Sequence, residues 1–306
     1  MDGSIQLPAS DAPRQRTLRN PISCLGIGLH SGVRVGMELA PGAADSGIVF
    51  YRRDAGIEIP ARFDRVVDGR LATQIAAFEA PDVRVGTVEH LMAALAALGI
   101  DNARISLDGP EVPVLDGSAA QFVFLIDCAG IAVQEAPRRE LAVRRRIRVD
   151  EGDAFVELLP DQRPGLAMEL SICFAAPAIG RQAFALRLTE AAFRRELASA
   201  RTFTTADTIA GLRAEGLAQG GTLENAIVVE NERVLNPAGL RMPDEFVRHK
   251  LLDAVGDLAL AGLPIRARFR AHRSGHALNH RLLERLFASP EAFRISVPLA
   301  AEALAA

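Results

Sequence analysis

The 306-residue chain has no tryptophan and a single tyrosine, Tyr51. Aromatic side chains form the stacking platforms of nucleic-acid-binding proteins and the interfacial belts of membrane proteins, so neither partner is expected here. The longest apolar run, residues 91–100, is too short to cross a bilayer. Because the formal net charge is −3, no overall positive field is available to attract nucleic acid or an anionic membrane. These absences predict a soluble protein that has no integral membrane segment and does not bind nucleic acid.

Cysteine is scarce as well. The three cysteines, Cys24, Cys128 and Cys173, are far apart and never form a Cys-x-x-Cys pair, which argues against a disulfide framework and against a thiolate zinc cluster. A reducing cytoplasm is consistent with this usage. Residues 1–13 are polar, contain proline and lack the apolar core of a signal peptide, so we expect a disordered leader and a cytoplasmic protein.

The chain is long enough for two domains of ordinary size, since 49% of its residues are hydrophobic. A charged stretch that contains proline, residues 134–140, interrupts the pattern, and we interpret it as the linker between the domains. Short strands, among them one through residues 62–66, tight turns and two helices precede it. Strands predicted at 141–149, 154–159 and 166–174 and further helices follow it, and we expect the arginine run at 144–146 to lie along an exposed strand edge. The predicted units are the leader at 1–13, a first domain at 14–135 and a second domain at 136–306.

Residues 246–257 contain no proline and predict a helix. At about 100° per residue, its apolar side chains share one arc, while His249, Asp253 and Asp257 follow the opposite stripe at successive i,i+4 steps. A solvated stripe would more often carry glutamate, lysine and glutamine, so this composition favours a packed polar site. His249 and Asp253 could offer two metal ligands from one rigid face. The plainer alternative is a hydrogen bond between them within the helix.

A second helix is predicted at residues 87–99, with Thr87 as its cap and Gly99 at its end. Glu89 and His90 lie in its first turn, about 100° apart, and can therefore flank one point. The order of the two residues and the lack of a second histidine exclude a His-Glu-x-x-His protease site. Taken alone, Glu89 could simply complement the helix dipole.

His276 is predicted on a loop between a strand at 265–271 and a final helix near 279–288, where catalytic groups are often displayed. The turn histidine His30 is a weaker candidate. The two helices and this loop together offer two imidazoles and a carboxylate as ligands, with a carboxylate and an imidazole to spare. Three protein ligands that leave a fourth position for water are typical of catalytic zinc. The residues alone do not establish that these segments meet in space.

Five motifs occur in unbroken order between about residues 15 and 286, at residues 87–91, 108–118, 201–203, 246–257 and 274–279. With these motifs the chain resembles the UDP-3-O-acyl-N-acetylglucosamine deacetylases of lipid A biosynthesis. The resemblance implies an α+β fold with two similar sheet-plus-helices domains packed face to face, each with a small insert, and an active site at their interface. It also implies a cytoplasmic enzyme of a Gram-negative cell.

The resemblance further implies one catalytic zinc ion with His90, His249 and Asp253 as its ligands. Iron is the alternative metal in the cell. Glu89 would be the general base that accepts a proton from water. The reaction would be hydrolysis of the N-acetyl group of UDP-3-O-(3-hydroxyacyl)-N-acetylglucosamine to acetate and the free amine.

Other roles implied by the resemblance fall on residues of the same motifs. Thr202 would donate a hydrogen bond to the oxyanion, and His276, oriented by Asp257, would act as an electrostatic partner or general acid. Lys250 would meet the nucleotide diphosphate or the leaving group, while Phe203 would pack on the sugar.

An insert near residues 205–225 would shelter the acyl chain, with four apolar residues available for its lining: Ile209, Leu212, Leu217 and Leu223. One departure from the family is Arg273, where relatives commonly have lysine; its positive charge is kept, but its hydrogen-bond geometry differs. We expect a monomer.

Two other functions stay open at this point. A non-haem Fe(II) oxygenase also uses two histidines and one carboxylate, although its usual close His-x-Asp pair is absent. A non-catalytic module that binds a sugar nucleotide and holds a structural metal would leave Glu89 and His276 without a role, and structural zinc usually has four protein ligands.

Overall fold

The computed structural model describes residues 12–68 and 71–297, so almost all of the predicted leader lies outside the described residues. The fold is α+β, as predicted. Six α-helices occur in the described parts of the chain: α1 (Glu89–Ala97), α2 (Ala120–Ala129), α3 (Glu190–Ala192), α4 (Ala206–Ala214), α5 (Glu245–Ala259) and α6 (His276–Phe287). A π-helical turn, Phe193–Leu197, extends α3. Two short 3-10 helices lie at Phe63–Arg65 and Pro290–Ala292. None of the described helices is long and apolar enough to cross a membrane.

The first half of the chain builds a five-stranded, a three-stranded and a two-stranded sheet. Its strands are β1 (Arg14–Leu18), β2 (Ile22–Ile27), β3 (Arg34–Pro41), β4 (Ile48–Arg52), β5 (Ile57–Pro60), β6 (Val66–Asp68), β7 (Gln74–Ala76), β8 (Arg84–Val85), β9 (Ala103–Leu107) and β10 (Ile131–Pro137). The larger sheet has the order β2-β3-β9-β4-β5, in which only β4 and β9 are parallel. Strands β6, β7 and β8 form the small three-stranded sheet.

The second half builds a seven-stranded sheet and a second small one. Its strands are β11 (Glu140–Val143), β12 (Ile147–Glu151), β13 (Ala154–Leu159), β14 (Leu166–Cys173), β15 (Arg181–Arg187), β16 (Phe203–Thr205), β17 (Ile227–Glu230), β18 (Arg233–Val234), β19 (Ile265–His272) and β20 (Phe293–Ser296). Strand β19 lies centrally and pairs with β11, β13 and β14. Strands β16, β17 and β18 form the small sheet beside α4.

Several sequence expectations are corrected at the level of single elements. The presumed linker at 134–140 is mostly strand: β10 pairs with β1 as far as Pro137, and β11 starts at Glu140. The strand predicted at 141–149 is two strands, with Arg144–Arg146 in the connection rather than along an edge. Residues 63–65 form a 3-10 helix instead of continuing a strand. The division into domains at 135/136 stays a prediction.

Helices α1 and α5 carry all three predicted metal ligands and pack against each other. Both are buried around most of their circumference, which explains why α5 has short polar residues where a surface helix would have long charged ones. Gly256 permits the contact, because a Cβ atom there would lie 1.9 Å from the carbonyl oxygen of Glu89. The close approach therefore brings the first turn of α1 next to the polar stripe of α5.

Replacing Gly256 by alanine is expected to destabilise the protein by about 3 kcal/mol or more, because the new methyl group would meet rigid backbone instead of a flexible side chain. Urea unfolding followed by circular dichroism measures the loss. Gly211→Ala in α4 is the matched control, since a Cβ atom at Gly211 would meet nothing within 4 Å and should add about 0.5–1 kcal/mol of stability. Equal stability of the two variants would contradict the close packing of α1 on α5.

Candidate metal centre

Two helices bring together three side chains that can bind one metal ion. His90 comes from the first turn of α1, whereas His249 and Asp253 lie one turn apart on α5. Their ligand atoms all lie within 4.8 Å of one another, and all three residues are buried. Asp253 Oδ1 is 3.2 Å from His249 Nε2 and 3.5 Å from His90 Nε2. Asp253 therefore faces a histidine of its own helix and one of α1, so the arrangement is more than a hydrogen bond between His249 and Asp253 within α5.

The hydrogen bonds around this cluster fit a cation at its centre. His249 Nδ1 lies 3.0 Å from the carbonyl oxygen of Ala200 and must donate to it, which leaves Nε2 as a free acceptor toward the cluster. Burial lowers the pKa of His249 to about 4, so the imidazole is neutral, as a ligand must be. Asp253 Oδ1 is buried and has no hydrogen-bond partner among the described residues. An unpaired buried carboxylate oxygen between two imidazole nitrogens is suited to a divalent metal.

Glu89 lies beside the cluster and is 3% exposed. The backbone N–H of Thr73 donates to its Oε2 atom at 3.0 Å, while its Oε1 atom lies 3.8 Å from His276 Nε2. Burial raises the pKa of this carboxyl group above its ordinary value. A carboxylate with a raised pKa and one uncommitted oxygen can accept a proton from water near neutral pH.

His276 is the first residue of α6 and not a loop residue, because the helix begins three positions earlier than predicted. Its Nδ1 atom donates to Asp257 Oδ2 at 2.9 Å, and its Nε2 atom faces the cluster, 3.8 Å from Asp253 Oδ2. Burial opposes the protonated imidazole, but the Asp257 carboxylate outweighs it and raises the pKa of His276 to about 9. Burial likewise disfavours ionised Asp257, yet the adjacent histidines hold its pKa at about 2. The structure therefore places a cation at His276 across from Glu89.

The remaining predicted site residues line the same cleft. Thr202 and Phe203 border it, and the Phe203 ring packs edge-on against His249 with ring centroids 6.1 Å apart. Lys250 donates to Asp253 Oδ2 at 2.9 Å. Its ammonium group thus lies beside the three candidate metal ligands and not at the outer rim of the cleft.

The cleft has a volume of about 680 Å³ and adjoins a more apolar pocket of about 310 Å³. Leu29, Leu71 and Phe203 are among the residues that line both cavities. Of the four insert residues expected at the acyl chain, three line the apolar pocket, namely Ile209, Leu212 and Leu223. Leu217 lines a neighbouring cavity instead.

Sequence reasoning missed several groups around the site. Thr73 is fully buried against Glu89 and Asp257, but nothing in the pattern at residues 71–74 marked it. His280 follows His276 by one helical turn. With a helix that begins at His276, this i,i+4 spacing predicts that the two imidazoles share one face. The capping role assigned to Thr87 was wrong, since its hydroxyl donates to Glu111 at 2.7 Å and no side chain caps α1.

Comparisons with known proteins agree on one family. The family model described as "UDP-3-O-acyl N-acetylglycosamine deacetylase" matches residues 15–288. A UDP-3-O-acyl-N-acetylglucosamine deacetylase from Anaeromyxobacter sp. (strain Fw109-5) is 48% identical over 92% of this chain and 91% of its own length. Its counterpart from Acidithiobacillus ferrooxidans is 49% identical over 92% of both chains. The one from Phenylobacterium zucineum is 45% identical over 92% of this chain and 96% of its own length.

Proposed function

Because the chain belongs to the UDP-3-O-acyl-N-acetylglucosamine deacetylase family, we infer that it hydrolyses the N-acetyl group of UDP-3-O-acyl-N-acetylglucosamine in lipid A biosynthesis. The products are acetate and the free amine. Family membership decides among the three functions that the sequence left open, in favour of amide hydrolysis over oxygenation or sugar-nucleotide binding alone. The observation that carries the assignment to this cleft is the convergence of His90, His249 and Asp253 beside Glu89 and His276.

We propose that His90, His249 and Asp253 hold one catalytic Zn²⁺, with Fe²⁺ as the alternative in the cell. Three ligands of the types histidine, histidine and carboxylate suit a catalytic zinc site with an open position. A bound zinc ion would act as a Lewis acid that polarises the acetamide carbonyl and lowers the pKa of water to about 7. Lys250 pairs with Oδ2 of Asp253, so Oδ1 is the oxygen left free toward the two histidines that would hold the ion.

Glu89 is proposed as the general base. Its Oε2 atom is fixed by the Thr73 N–H, so Oε1 is the oxygen left to take the proton from the attacking water. Attack on the acetamide carbon creates an oxyanion, for which the Thr202 hydroxyl is the proposed donor. The proton gained by Glu89, or one held by His276, then leaves with the amine.

His276 and Asp257 are proposed to act as a pair. The ionised Asp257 fixes the ring through Nδ1 and keeps it protonated, so that Nε2–H points into the cleft through neutral pH. An imidazolium in this position stabilises negative charge in the transition state and can protonate the leaving nitrogen.

The substrate would lie across both cavities. The apolar pocket beside α4 is proposed to take the acyl chain, since Ile209, Leu212 and Leu223 line it. Phe203 borders both cavities and is proposed to pack on the sugar at their junction. The contact of Lys250 with Asp253 supports a position near the leaving group more than one at the nucleotide diphosphate. We further propose a cytoplasmic, monomeric enzyme.

The function is tested by measuring acetate release and bound metal on the same purified protein. We expect about one zinc or iron ion per chain, loss of acetate release on treatment with a chelator, and recovery when Zn²⁺ is restored. Full activity in metal-free protein would contradict the metal-dependent mechanism. Consumption of oxygen and 2-oxoglutarate without acetate release would favour the oxygenase alternative instead.

The Asp257–His276 pair predicts a specific pH response. Since Asp257 raises the pKa of His276 to about 9, Asp257→Asn should lower that pKa and move the alkaline limb of the kcat profile to lower pH. Metal content should stay at the wild-type level. Asp161→Asn is the control. It removes a carboxylate that lies outside the cleft and pairs with Arg187 at 2.6 Å, and it should leave both limbs of the pH profile in place. An Asp257→Asn profile that superimposes on the wild type would exclude the pairing.

A further inference from the structure

Thr73, a buried threonine outside the proposed catalytic set, contacts both halves of the proposed machinery. It directly precedes β7, and its side chain is completely buried. Its backbone N–H donates to Glu89 Oε2 at 3.0 Å, and its carbonyl oxygen accepts from the N–H of Val88 at 3.3 Å. Its hydroxyl lies 2.5 Å from Asp257 Oδ1. One residue therefore links the carboxylate proposed as base to the carboxylate that orients His276.

The neighbouring side chains determine to which atom the Thr73 hydroxyl donates and from which it accepts. Asp257 is ionised and can only accept, so the hydroxyl proton points at Oδ1. His280 Nε2 lies 2.9 Å from the same hydroxyl oxygen, which must then accept a proton from that nitrogen. Burial lowers the pKa of His280, and the neutral ring consequently has its proton on Nε2 and a bare Nδ1. In agreement, Nδ1 of His280 has no partner among the described residues.

The remaining bonds of Asp257 show what the hydroxyl adds. Oδ2 accepts from His276 Nδ1 at 2.9 Å and from Asn279 Nδ2 at 2.8 Å, whereas Oδ1 accepts from the Thr73 hydroxyl at 2.5 Å and lies 3.1 Å from the same His276 nitrogen. Without the hydroxyl, the nearest donor to Oδ1 would be His276 Nδ1, which is shared with Oδ2, so the carboxylate would be held less firmly against rotation about its Cβ–Cγ bond. The His276 ring would follow that rotation, because Asp257 is its hydrogen-bond acceptor.

We propose that Thr73, held by a hydrogen bond from His280, is a positioning residue that sets the mutual orientation of the Glu89 and Asp257 carboxylates. The proposal rests on the proposed function, since it concerns groups assigned there as base and imidazole partner. Leu71 and Ala72, directly before Thr73, line the cleft, so the same short segment forms the wall on the substrate side and supports the base on the buried side.

Thr73→Val tests the proposal, because valine has nearly the same shape and keeps the backbone N–H while losing the hydroxyl. We expect kcat to fall by about 10–100-fold, the range typical of residues that orient catalytic ligands, with KM changed less than about twofold and metal content unchanged. Thr73→Ser restores a hydroxyl and should recover most of kcat. Rates are to be normalised to folded, metal-loaded protein.

Thr17→Val is the matched control for a purely structural effect. Thr17 is also buried, and its hydroxyl donates to the Asn102 carbonyl at 2.7 Å and accepts from the Gly42 N–H at 2.9 Å, in the first half of the chain. The control should lower the unfolding midpoint without changing kcat. Wild-type kcat in Thr73→Val, or a serine variant as slow as the valine variant, would overturn the proposal. A wild-type protein without acetate release would instead remove the proposed function itself, and this proposal with it.

His280 provides a second test, and its single variants do not depend on the folding of Thr73 variants. His280→Leu removes the donor to the hydroxyl and should lower kcat several-fold, whereas His280→Gln keeps an N–H donor and should lie closer to the wild type. Because both residues act through the same hydroxyl, His280→Leu should cost little more in a Thr73→Val background. Fully additive losses in kcat would show that the two residues act separately.

Discussion

His249→Ala is expected to lose the bound metal and the acetate-releasing activity together, and His90→Ala and Asp253→Ala should behave in the same way. Each change removes one of three ligands and leaves an incomplete set around the ion. A catalytic metal provides several kcal/mol of transition-state stabilisation, and each 1.4 kcal/mol is a factor of ten, so activity should fall by about a thousandfold or more. Elemental analysis of the dialysed variants, with acetate release measured on the same samples, checks both expectations.

Two further histidine variants separate metal binding from catalysis. His276→Ala should keep its metal and lose activity, because His276 contacts the cluster only through 3.8 Å approaches to Glu89 and Asp253. His272→Ala should keep both, since His272 lies on β19 and faces Ser171 at 2.8 Å outside the cleft. Stoichiometric metal in His249→Ala would show that the ligand set is wrong.

Glu89→Gln should bind metal and substrate nearly as well as the wild type and yet turn over about 10²–10⁴-fold more slowly, the usual cost of losing a general base. The amide fills the same space and can still accept the Thr73 N–H through its oxygen. It cannot take a proton from water. Steady-state kinetics should therefore show the loss in kcat with little change in KM.

The matched control for Glu89 is Glu157→Gln. Glu157 is as buried as Glu89 but lies on β13, where it pairs with Arg146, Arg148 and Arg270. Its replacement should lower stability and leave kcat unchanged. If Glu89→Gln also kept the wild-type kcat, Glu89 would have no part beyond complementing the dipole of α1.

Helix α5 shows how far local patterns reach. Its apolar arc, its length to within two residues at either end and the stripe of His249, Asp253 and Asp257 were all predicted, because the 3.6-residue period is a property of the backbone itself. The end of α1 was predicted for a similar reason: Gly99 adopts φ of 71°, a conformation that glycine reaches at little cost.

Element boundaries failed where long-range contacts replaced local signals. α6 begins at His276 without a side-chain cap, so no residue type marks its start. The expected linker at 134–140 carries charge and proline, as a linker would, but β1, more than a hundred residues earlier, recruits most of it into a ladder. The cap expected at Thr87 is absent because Glu111 accepts its hydroxyl proton.

The sequence by itself determined that α1 and α5 are helices, the spacing of the ligands along them and, through motif order, the family. The tertiary structure decided how the groups face one another: Gly256 allows α1 to reach α5, the Ala200 carbonyl turns Nε2 of His249 toward the cluster, and Thr73 joins Glu89 to Asp257. Thr73 and Asp257 are 184 residues apart. Hydrogen bonds between such distant groups leave no periodicity along the chain, since their geometry arises only when the helices pack and exclude water from the space between them.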